Sequence, residues 1–337
     1  MPVERDQAVF VTEADSEALL AELSAHARRP EAGIFGPESV SWRINREAAL
    51  FLGAGRAALL QLAHPWVAAA LAEHSTVLDR PIARFHHTFR IVYTMIFGAL
   101  KQATAAARAL HALHARIGGE MPEEVAAYRR GSRYEANEIA ALRWVYATLV
   151  EGAVLAYECA LPGLTAEERE QYYAESKLLA ALFGIPASAL PEDWAAFAAY
   201  CAAMHASDEL GVSAGARAIA QKLMTGAGLW IHPPGWYRAL TAGWLPERLR
   251  AGFGLTYGAA VRKADESARR RLPGIYRKLP EAVRFTGPWR EAQARLRGRG
   301  AGTWTRWSNR FWMGEARMPF GDEGDLRGRA QGTTIAE

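Results

Sequence analysis

Apolar residues recur at helical spacing along almost the whole of this 337-residue chain, and strand-like alternation is hard to find. Alanine is abundant in these stretches, and hydrophobic residues make up 50% of the chain, which is enough to bury a large core. The pattern therefore predicts an all-α fold, with many helices in a single compact domain.

Capping and breaking residues divide this pattern into separate helices. Pro65 is expected to start or bend a helix, and Gly118 marks a stop. Thr165, followed by Glu168 three residues later, has the spacing of a capping box. The predicted helices cover residues 14–28, 43–63, 65–73, 81–116 (as one or two helices), 136–160, 165–183, 191–206 and 213–227.

Composition also suggests how the chain is organised. We expect an N-terminal helix and linker at 1–35, followed by a main helical domain at 36–235. An accessory helical region at 236–315 is expected to pack on that domain. The Gly- and charge-rich tail at 316–337 is expected to be disordered.

Charge and targeting signals limit the partners. The net charge is +4, and basic residues are concentrated between 262 and 310, either as a solvated surface or as a patch for a membrane surface or polyanion. No zinc-finger, homeodomain or RNP pattern occurs, so we expect no nucleic-acid partner.

The N-terminus is acidic and lacks the apolar segment of a signal peptide, which favours a cytoplasmic location.

Six of the nine histidines lie between positions 64 and 114, inside apolar helical segments. His111 and His114 are three residues apart, so they point broadly to one side of a helix that also carries Leu110 and Leu113. A neutral imidazole on a buried helix is the usual proximal ligand of heme iron. A hydrogen-bonded core histidine has the same pattern, so the spacing leaves both interpretations open.

A second candidate group lies in the segment RFHHTFR. Arg84, His87 and Thr88 stand at i, i+3 and i+4 and share one helix face beside Phe85 and Phe89. A fixed cation, an imidazole and a hydroxyl together suit a bound oxygen species or a heme propionate. An exposed polar helix face has the same spacing.

Glu73 is a third candidate, in the segment LLQLAHPWVAAALAEHS. A buried glutamate at this position would have a raised pKa and would serve as a general base. A helix-capping or salt-bridge role is the alternative.

Several motifs are expected to carry no chemistry. GVSAG at 211–215 matches a nucleophile-elbow pattern, but a helical segment precedes it, so Ser213 is interpreted as a helix N-cap. GAGR at 53–56 lacks the third glycine of a dinucleotide fingerprint. The absence of E-x-x-H argues against a ferritin-like di-iron bundle, and the absence of C-x-x-C-H against covalent heme.

Taken in order, these segments resemble the catalytic domain of the rubber-oxygenase/MpaB-like family, over about residues 40–230. The resemblance begins at Trp42 and Glu47. The similar stretches are GAGRAALLQLAHPWVAAALAEHS, RFHHTFRIVYTMIFG, ALHALHARIGG, AALRWVYATLVEGAVLAYE, YYAESKLLAALFGIPASALP and the helix after Val212.

The resemblance implies an all-helical domain around non-covalent heme b (a b-type haem), with His114 as the proximal iron ligand. Arg84, His87 and Thr88 would lie on the distal side. Latex-clearing members of the family carry a lysine where this chain has His87. His87 would therefore either ligate the iron as a second axial ligand or remain free as an acid or base. We further expect His111 and Trp144 to contact the cofactor.

The function implied by the resemblance is a heme-dependent oxygenase that uses O2 or peroxide on an apolar prenyl, alkene or lipid-like molecule. Glu73, Arg84, His87 and Thr88 are the expected catalytic residues. Aromatic side chains are expected to line the substrate pocket, namely Phe89, Tyr93, Phe97 and Trp144. The alternatives are a non-catalytic bis-His heme protein for electron transfer, gas sensing or heme handling, and a heme-free helical binding protein.

Overall fold

The structure, a computed structural model, describes residues 8–74, 81–226 and 232–321. This part of the chain is mostly α-helical, which confirms the predicted fold class. The α-helices are α1 (Glu13–His26), α2 (Val40–Asn45), α3 (Phe51–Leu62), α4 (Pro65–His74), α5 (Pro81–Phe97), α6 (Leu100–His114), α7 (Ile139–Ala160), α8 (Ala166–Leu182), α9 (Trp194–Ala206), α10 (Ala214–Thr225), α11 (Gly235–Gly243), α12 (Glu247–Gly252), α13 (Ala259–Tyr276), α14 (Glu281–Arg284), α15 (Gly287–Leu296) and α16 (Thr303–Met313). Short 3-10 segments lie at Pro30–Ala32, Ala48–Leu50 and Ala187–Ala189, and two strands are β1 (Gly118–Glu120) and β2 (Arg133–Glu135).

Helix α7 is the central element, and it packs closely against α3. A Cβ atom on Gly53 of α3 would lie 2.6 Å from the carbonyl oxygen of Gly152 in α7, so only glycine allows this approach. The GAGR motif therefore serves helix packing. Within the described residues, α7 is also long and apolar enough to cross a membrane, but 61% of its most apolar window is buried in the protein, as in a core helix.

The predicted helix at 43–63 is interrupted. Helix α2 ends at Asn45, and α3 begins at Phe51 after a 3-10 segment. Glu47 lies in the interruption, buried, where its carboxylate pairs with Arg284 at 2.9 Å and accepts a hydrogen bond from the Tyr276 hydroxyl at 2.9 Å. These contacts come from distant parts of the chain, so local periodicity gives no sign of them.

Two predicted caps are confirmed. The Thr165 hydroxyl accepts from the backbone N–H of Glu168 at 3.1 Å, and the Glu168 carboxylate accepts from the Thr165 N–H at 2.9 Å. Ser213 accepts from the backbone N–H of Ala216 at 2.9 Å, which makes it the N-cap of α10. This capping position is the role expected for Ser213 in place of a nucleophile.

The C-terminal helices pack on the rest of the chain. Helix α11 lies against α3 and α13, α13 against α7, and both α15 and α16 against α5. Residues 316–321, assigned to the tail from composition, also pack here, with Met318 buried and the Gln102 amide donating to the Pro319 carbonyl at 3.0 Å. The remainder of that predicted tail, 322–337, lies outside the described residues.

The segment after α6 forms a small antiparallel hairpin, where the sequence predicted only a helix stop. Strand β1 pairs with β2 in the register Gly118↔Glu135, Gly119↔Tyr134 and Glu120↔Arg133. A Cβ atom on Gly119 would lie 2.6 Å from the Tyr134 hydroxyl and 2.7 Å from a Glu73 carboxylate oxygen. Glycine at 119 therefore lets the hairpin close against the end of α4.

Candidate functional site

A mostly apolar cavity of about 190 Å³ lies among α4, α5, α6, α7 and the hairpin. Its polar lining groups are few and come from different elements. The lining residues are Gln61, Trp66, Val67, Ala70, Leu71, His74, Arg84, Leu113, His114, Ile117, Tyr134, Glu135, Ala136, Ala141, Leu142 and Val145. We refer to it as the His114 cavity, because it brings together two of the sequence-predicted residues, Arg84 and His114.

His114 is the last residue of α6 and faces this cavity. The pKa of its imidazole is lowered to about 4, mainly by burial, with smaller electrostatic contributions from Arg84 and His111. The C-terminal end of a helix favours a cation, so desolvation outweighs the helix dipole here. No hydrogen bond to this ring comes from the described part of the chain. The ring is therefore neutral at pH 7 and has a free nitrogen lone pair.

Arg84 lies on α5 and lines the same cavity. Its side chain is partly buried, and burial lowers its pKa below the usual arginine value. Across residues 8–74, 81–226 and 232–321, no carboxylate or carbonyl accepts a hydrogen bond from its guanidinium. A partly buried cation that no described carboxylate neutralises costs free energy.

His87 and Thr88 lie one turn beyond Arg84 on α5, but neither lines the His114 cavity. Burial lowers the pKa of His87 to about 4, with further contributions from Arg84 and Arg90. The Nδ1 atom of His87 lies 3.4 Å from the Arg90 guanidinium. The Thr88 hydroxyl donates to the backbone carbonyl of Arg84 at 3.1 Å. Arg84 and His114 thus line the same cavity, whereas the ring of His87 lies beside Arg90.

Glu73 is not the buried carboxylate that a general base at this position requires, because its side chain is 56% exposed. It accepts a hydrogen bond from the Tyr134 hydroxyl at 2.5 Å and so ties the end of α4 to the hairpin. Its neighbour His74 lines the cavity and lies 3.1 Å from the Gly118 carbonyl. The role seen for Glu73 is a structural hydrogen bond from a tyrosine, which is neither the general base nor the helix cap considered from the sequence.

His111 and Trp144 do not line the cavity either. His111 is partly buried one turn before His114 and acts on it through charge. Trp144 is fully buried in the core, where its indole N–H donates to the Leu60 carbonyl at 2.9 Å. Helix α7 presents Leu142 and Val145 to the cavity instead.

A second, smaller cavity of about 80 Å³ lies among α3, α5, α7 and α8. We call it the Phe89 cavity. Its lining residues are Asn45, Leu50, Gly53, Ala54, Ala57, Phe89, Val92, Tyr93, Ile96, Thr148, Leu149, Val150, Gly152, Ala153, Tyr172 and Leu179. Phe89 and Tyr93 were expected in an apolar pocket and do line it, whereas Phe97 is buried against Trp42, with ring centroids 5.4 Å apart.

The two cavities meet at one hydrogen bond. Gln61 lines the His114 cavity, Thr148 lines the Phe89 cavity, and the Gln61 amide donates to the Thr148 hydroxyl at 2.9 Å. Apart from Val150, the lining positions on α7, which are 141, 142, 145, 148, 149, 152 and 153, form one helical stripe across both cavities. That stripe is visible in the sequence, and it is the signal that would have found Thr148 and Val145.

The family comparison agrees with this fold. Residues 42–285 match the family described as ER-bound oxygenase mpaB/B'/rubber oxygenase, catalytic domain. The chain belongs to this family, and the family is one of oxygenase catalytic domains. The match extends beyond residue 230 through α11, α12, α13 and α14. No curated protein and no solved structure matches the chain.

Proposed function

We propose that this chain is a heme-b-dependent oxygenase that acts on an apolar small molecule, with O2 or peroxide as the oxidant. Membership of an oxygenase family supports the reaction class. The observation that carries the proposal is the pair Arg84 and His114. A neutral imidazole and a guanidinium, neither of which is hydrogen-bonded by a described residue, line one mostly apolar cavity.

The donor set fits heme chemically. A neutral imidazole is the form that donates to iron, and an unpaired guanidinium suits a propionate carboxylate. Among the described residues no group of three His, Cys, Asp or Glu side chains could hold a metal ion, but an axial heme ligand requires only one. The His114 cavity, at about 190 Å³, is smaller than the roughly 300–1,000 Å³ of typical ligand pockets, so its wall has to open for a porphyrin.

Heme, when bound, supplies the iron that activates the oxidant. His114 would hold it from α6, and its pKa of about 4 keeps the ring deprotonated at neutral pH. Arg84 would hold a heme propionate from α5 and so fix the orientation of the cofactor. The neutral ring of His87, held beside Arg90, would accept a proton at neutral pH rather than donate one.

The substrate class follows from the walls of the two cavities. Both are lined mainly by aliphatic and aromatic side chains, and no carboxylate, lysine or arginine lines the Phe89 cavity. A prenyl, alkene or lipid-like chain would lie along the α7 stripe, past the bond between Gln61 and Thr148. A strongly polar or charged substrate would lose its hydration there without compensation.

A bis-His, non-catalytic heme protein is the second candidate. The observation that favours it is the lowered pKa of His87, whose neutral ring is also able to ligate iron. Two observations favour the oxygenase. The ring of His87 lies beside Arg90, and His87 does not line the His114 cavity. The ferric spectrum separates the two. A low-spin six-coordinate species that refuses cyanide would support the bis-His protein.

The test of activity uses the full chain reconstituted with hemin and supplied with isotopically labelled dioxygen or with peroxide. A panel of prenyl and alkene compounds is presented, and products are analysed by mass spectrometry. We expect incorporation of the labelled oxygen into at least one apolar compound. In Arg84→Gln we expect a loss of activity on the order of a hundredfold, because the heme would no longer be held in the productive orientation. A heme-loaded protein that oxidises none of the panel with either oxidant would contradict the oxygenase.

A further inference from the structure

Helix α16 carries a row of three exposed aromatic side chains. Trp304, Trp307 and Phe311 are 47%, 55% and 47% exposed. Their ring centroids are 4.9 Å apart for Trp304 and Trp307 and 6.2 Å apart for Trp307 and Phe311, with nearly parallel planes. We call these residues the aromatic ridge. An apolar patch of this kind on a protein surface indicates an interaction site.

The opposite face of α16 is buried in the protein, so the aromatic ridge points toward solvent. Ser308, Asn309 and Met313 are buried, and the Asn309 amide donates to the Glu291 carboxylate at 2.5 Å and to the Ala316 carbonyl at 3.1 Å. The helix therefore cannot turn to hide its aromatic side chains without breaking buried hydrogen bonds. The ridge is a permanent feature of this surface.

A cationic groove lies beside the ridge, in an open cavity of about 1,010 Å³. Its basic lining residues are Lys101, Arg295, Arg299, Arg306, Arg310 and Arg317, of which Arg306 and Arg310 belong to α16 itself. No carboxylate within the described ranges pairs with Arg299, Arg306 or Arg310. We call this the arginine groove.

The two carboxylates that line the arginine groove are already engaged. Glu315 forms an ion pair with Arg90 at 3.1 Å. Glu291 accepts from Asn309 at 2.5 Å and from the backbone N–H of Met318 at 3.1 Å. The groove therefore presents a surplus of positive charge next to exposed aromatic side chains.

We propose that the aromatic ridge and the arginine groove together form a docking surface for an anionic phospholipid bilayer. Tryptophan and phenylalanine settle at the boundary between headgroups and acyl chains, where their rings replace water with lipid. Guanidinium groups bind phosphate oxygens with two hydrogen bonds at once. The sequence of α16 contains no acidic residue, so nothing on the helix repels an anionic surface.

The position of the ridge favours a bilayer over a nucleic acid. Trp312, the neighbour of Phe311, stacks on Phe51 with a centroid distance of 3.8 Å and an interplanar angle of 8°. Phe51 contacts Phe89 at 4.6 Å, and Phe89 lines the apolar cavity that bears its name. Packed aromatic rings thus connect the ridge to the wall of the Phe89 cavity, where a lipophilic molecule from the membrane would bind. The idea that the membrane supplies a lipophilic substrate rests on the proposed function, whereas the docking of the protein on the bilayer does not.

The test measures sedimentation of the full chain with vesicles of phosphatidylcholine, alone or mixed with phosphatidylglycerol. We expect binding to the mixed vesicles that weakens as salt increases. The variant Trp307→Ala/Phe311→Ala should bind at least about tenfold more weakly, because both side chains lose their buried contact with lipid. The variant Arg306→Gln/Arg310→Gln should lose roughly twentyfold on the mixed vesicles only.

The matched control is Trp236→Ala on α11, which removes a tryptophan that is 42% exposed away from the ridge and should bind like the parent chain. Circular dichroism establishes that each variant is folded. The proposal is overturned if the parent chain does not bind anionic vesicles. It is also overturned if the ridge variant, Trp307→Ala/Phe311→Ala, binds them as tightly as the parent chain does. It is also overturned if the chain binds single-stranded RNA through this face instead, or is a dimer that only the ridge variant dissociates. Vesicle binding needs no heme, so its failure would leave the proposed oxygenase unaffected.

Discussion

Arg84 of α5 and His114 of α6 line one cavity, and the charge of the guanidinium is one of the reasons why the imidazole stays neutral. Neither group has a hydrogen-bond partner in the described part of the chain. A cation and a lone pair left open in this way cost stability in a heme-free protein. Under the proposed function, a bound heme would supply both the anion and the metal.

Removing the charge at position 84 should raise the pKa of two histidines at once. In Arg84→Met we expect the pKa values of His87 and His114 to rise from about 4 toward, but not to, 6.5, because burial remains the larger cause. Histidine titration followed by NMR measures both. If only His87 responds, the proposed closeness of Arg84 and His114 is wrong.

The same substitution should stabilise the heme-free chain, by about 1 kcal/mol, because it removes an unpaired, partly buried cation. The free energy of unfolding in urea measures this. Arg306→Met is the control, since that arginine lines an open groove and its loss should change stability little. A clear destabilisation in Arg84→Met would show that the guanidinium has a structural partner.

The stability of the heme-free chain should depend on pH in a defined window. Both His87 and His114 titrate near 6.5 when unfolded and near 4 when folded, so the unfolded chain binds more protons between these values. Stability is therefore fully present above about pH 6.5 and is lost as the pH falls toward about 4. Urea unfolding at several pH values measures the slope, and His87→Phe/His114→Phe should reduce it. An unchanged slope in this variant would contradict the low pKa values.

A substitution that fills the Phe89 cavity should weaken substrate binding and leave heme binding unchanged. In Ala153→Leu the added carbon atoms occupy a cavity of about 80 Å³ without touching the lining of the His114 cavity. We expect the heme spectrum to be unchanged and turnover of long apolar chains to fall by about tenfold or more. Equal turnover of long and short substrates in this variant would show that the substrate does not enter the Phe89 cavity.

The hairpin should be sensitive to a single methyl group. Gly119→Ala places a Cβ atom against the Tyr134 ring and the Glu73 carboxylate, so we expect a loss of about 1–3 kcal/mol in the free energy of unfolding. Gly300→Ala is the matched control, because a Cβ atom there meets no other atom within 4 Å. Equal stability of the two variants would mean that the hairpin is free to shift.

Much of the fold could be predicted because its signals are local. The cap at Thr165 and the helix start at Pro65 both follow from helix geometry within a few residues. The break at Glu47 could not be predicted, since its partners Tyr276 and Arg284 are more than 200 residues away in sequence.

The candidate site was predicted only in part, for a similar reason. Helical spacing placed Arg84, His87 and Thr88 on one face and also places Arg90 next to His87, but spacing does not reveal that only Arg84 of this group lines the His114 cavity. Trp144 is a large residue in an apolar helix, and such a side chain serves a core as well as a cofactor pocket. The exposure of Glu73 depends on the hairpin, which has no periodic signal in the sequence.

The most direct test of the central claim is a titration of the purified chain with hemin, followed by the Soret absorption of the complex. We expect one heme per chain in the parent protein and in His111→Ala, and a loss of the Soret band in His114→Ala with the fold retained by circular dichroism. Stoichiometric heme binding by His114→Ala with an unchanged spectrum would contradict the assignment of His114 as the axial ligand.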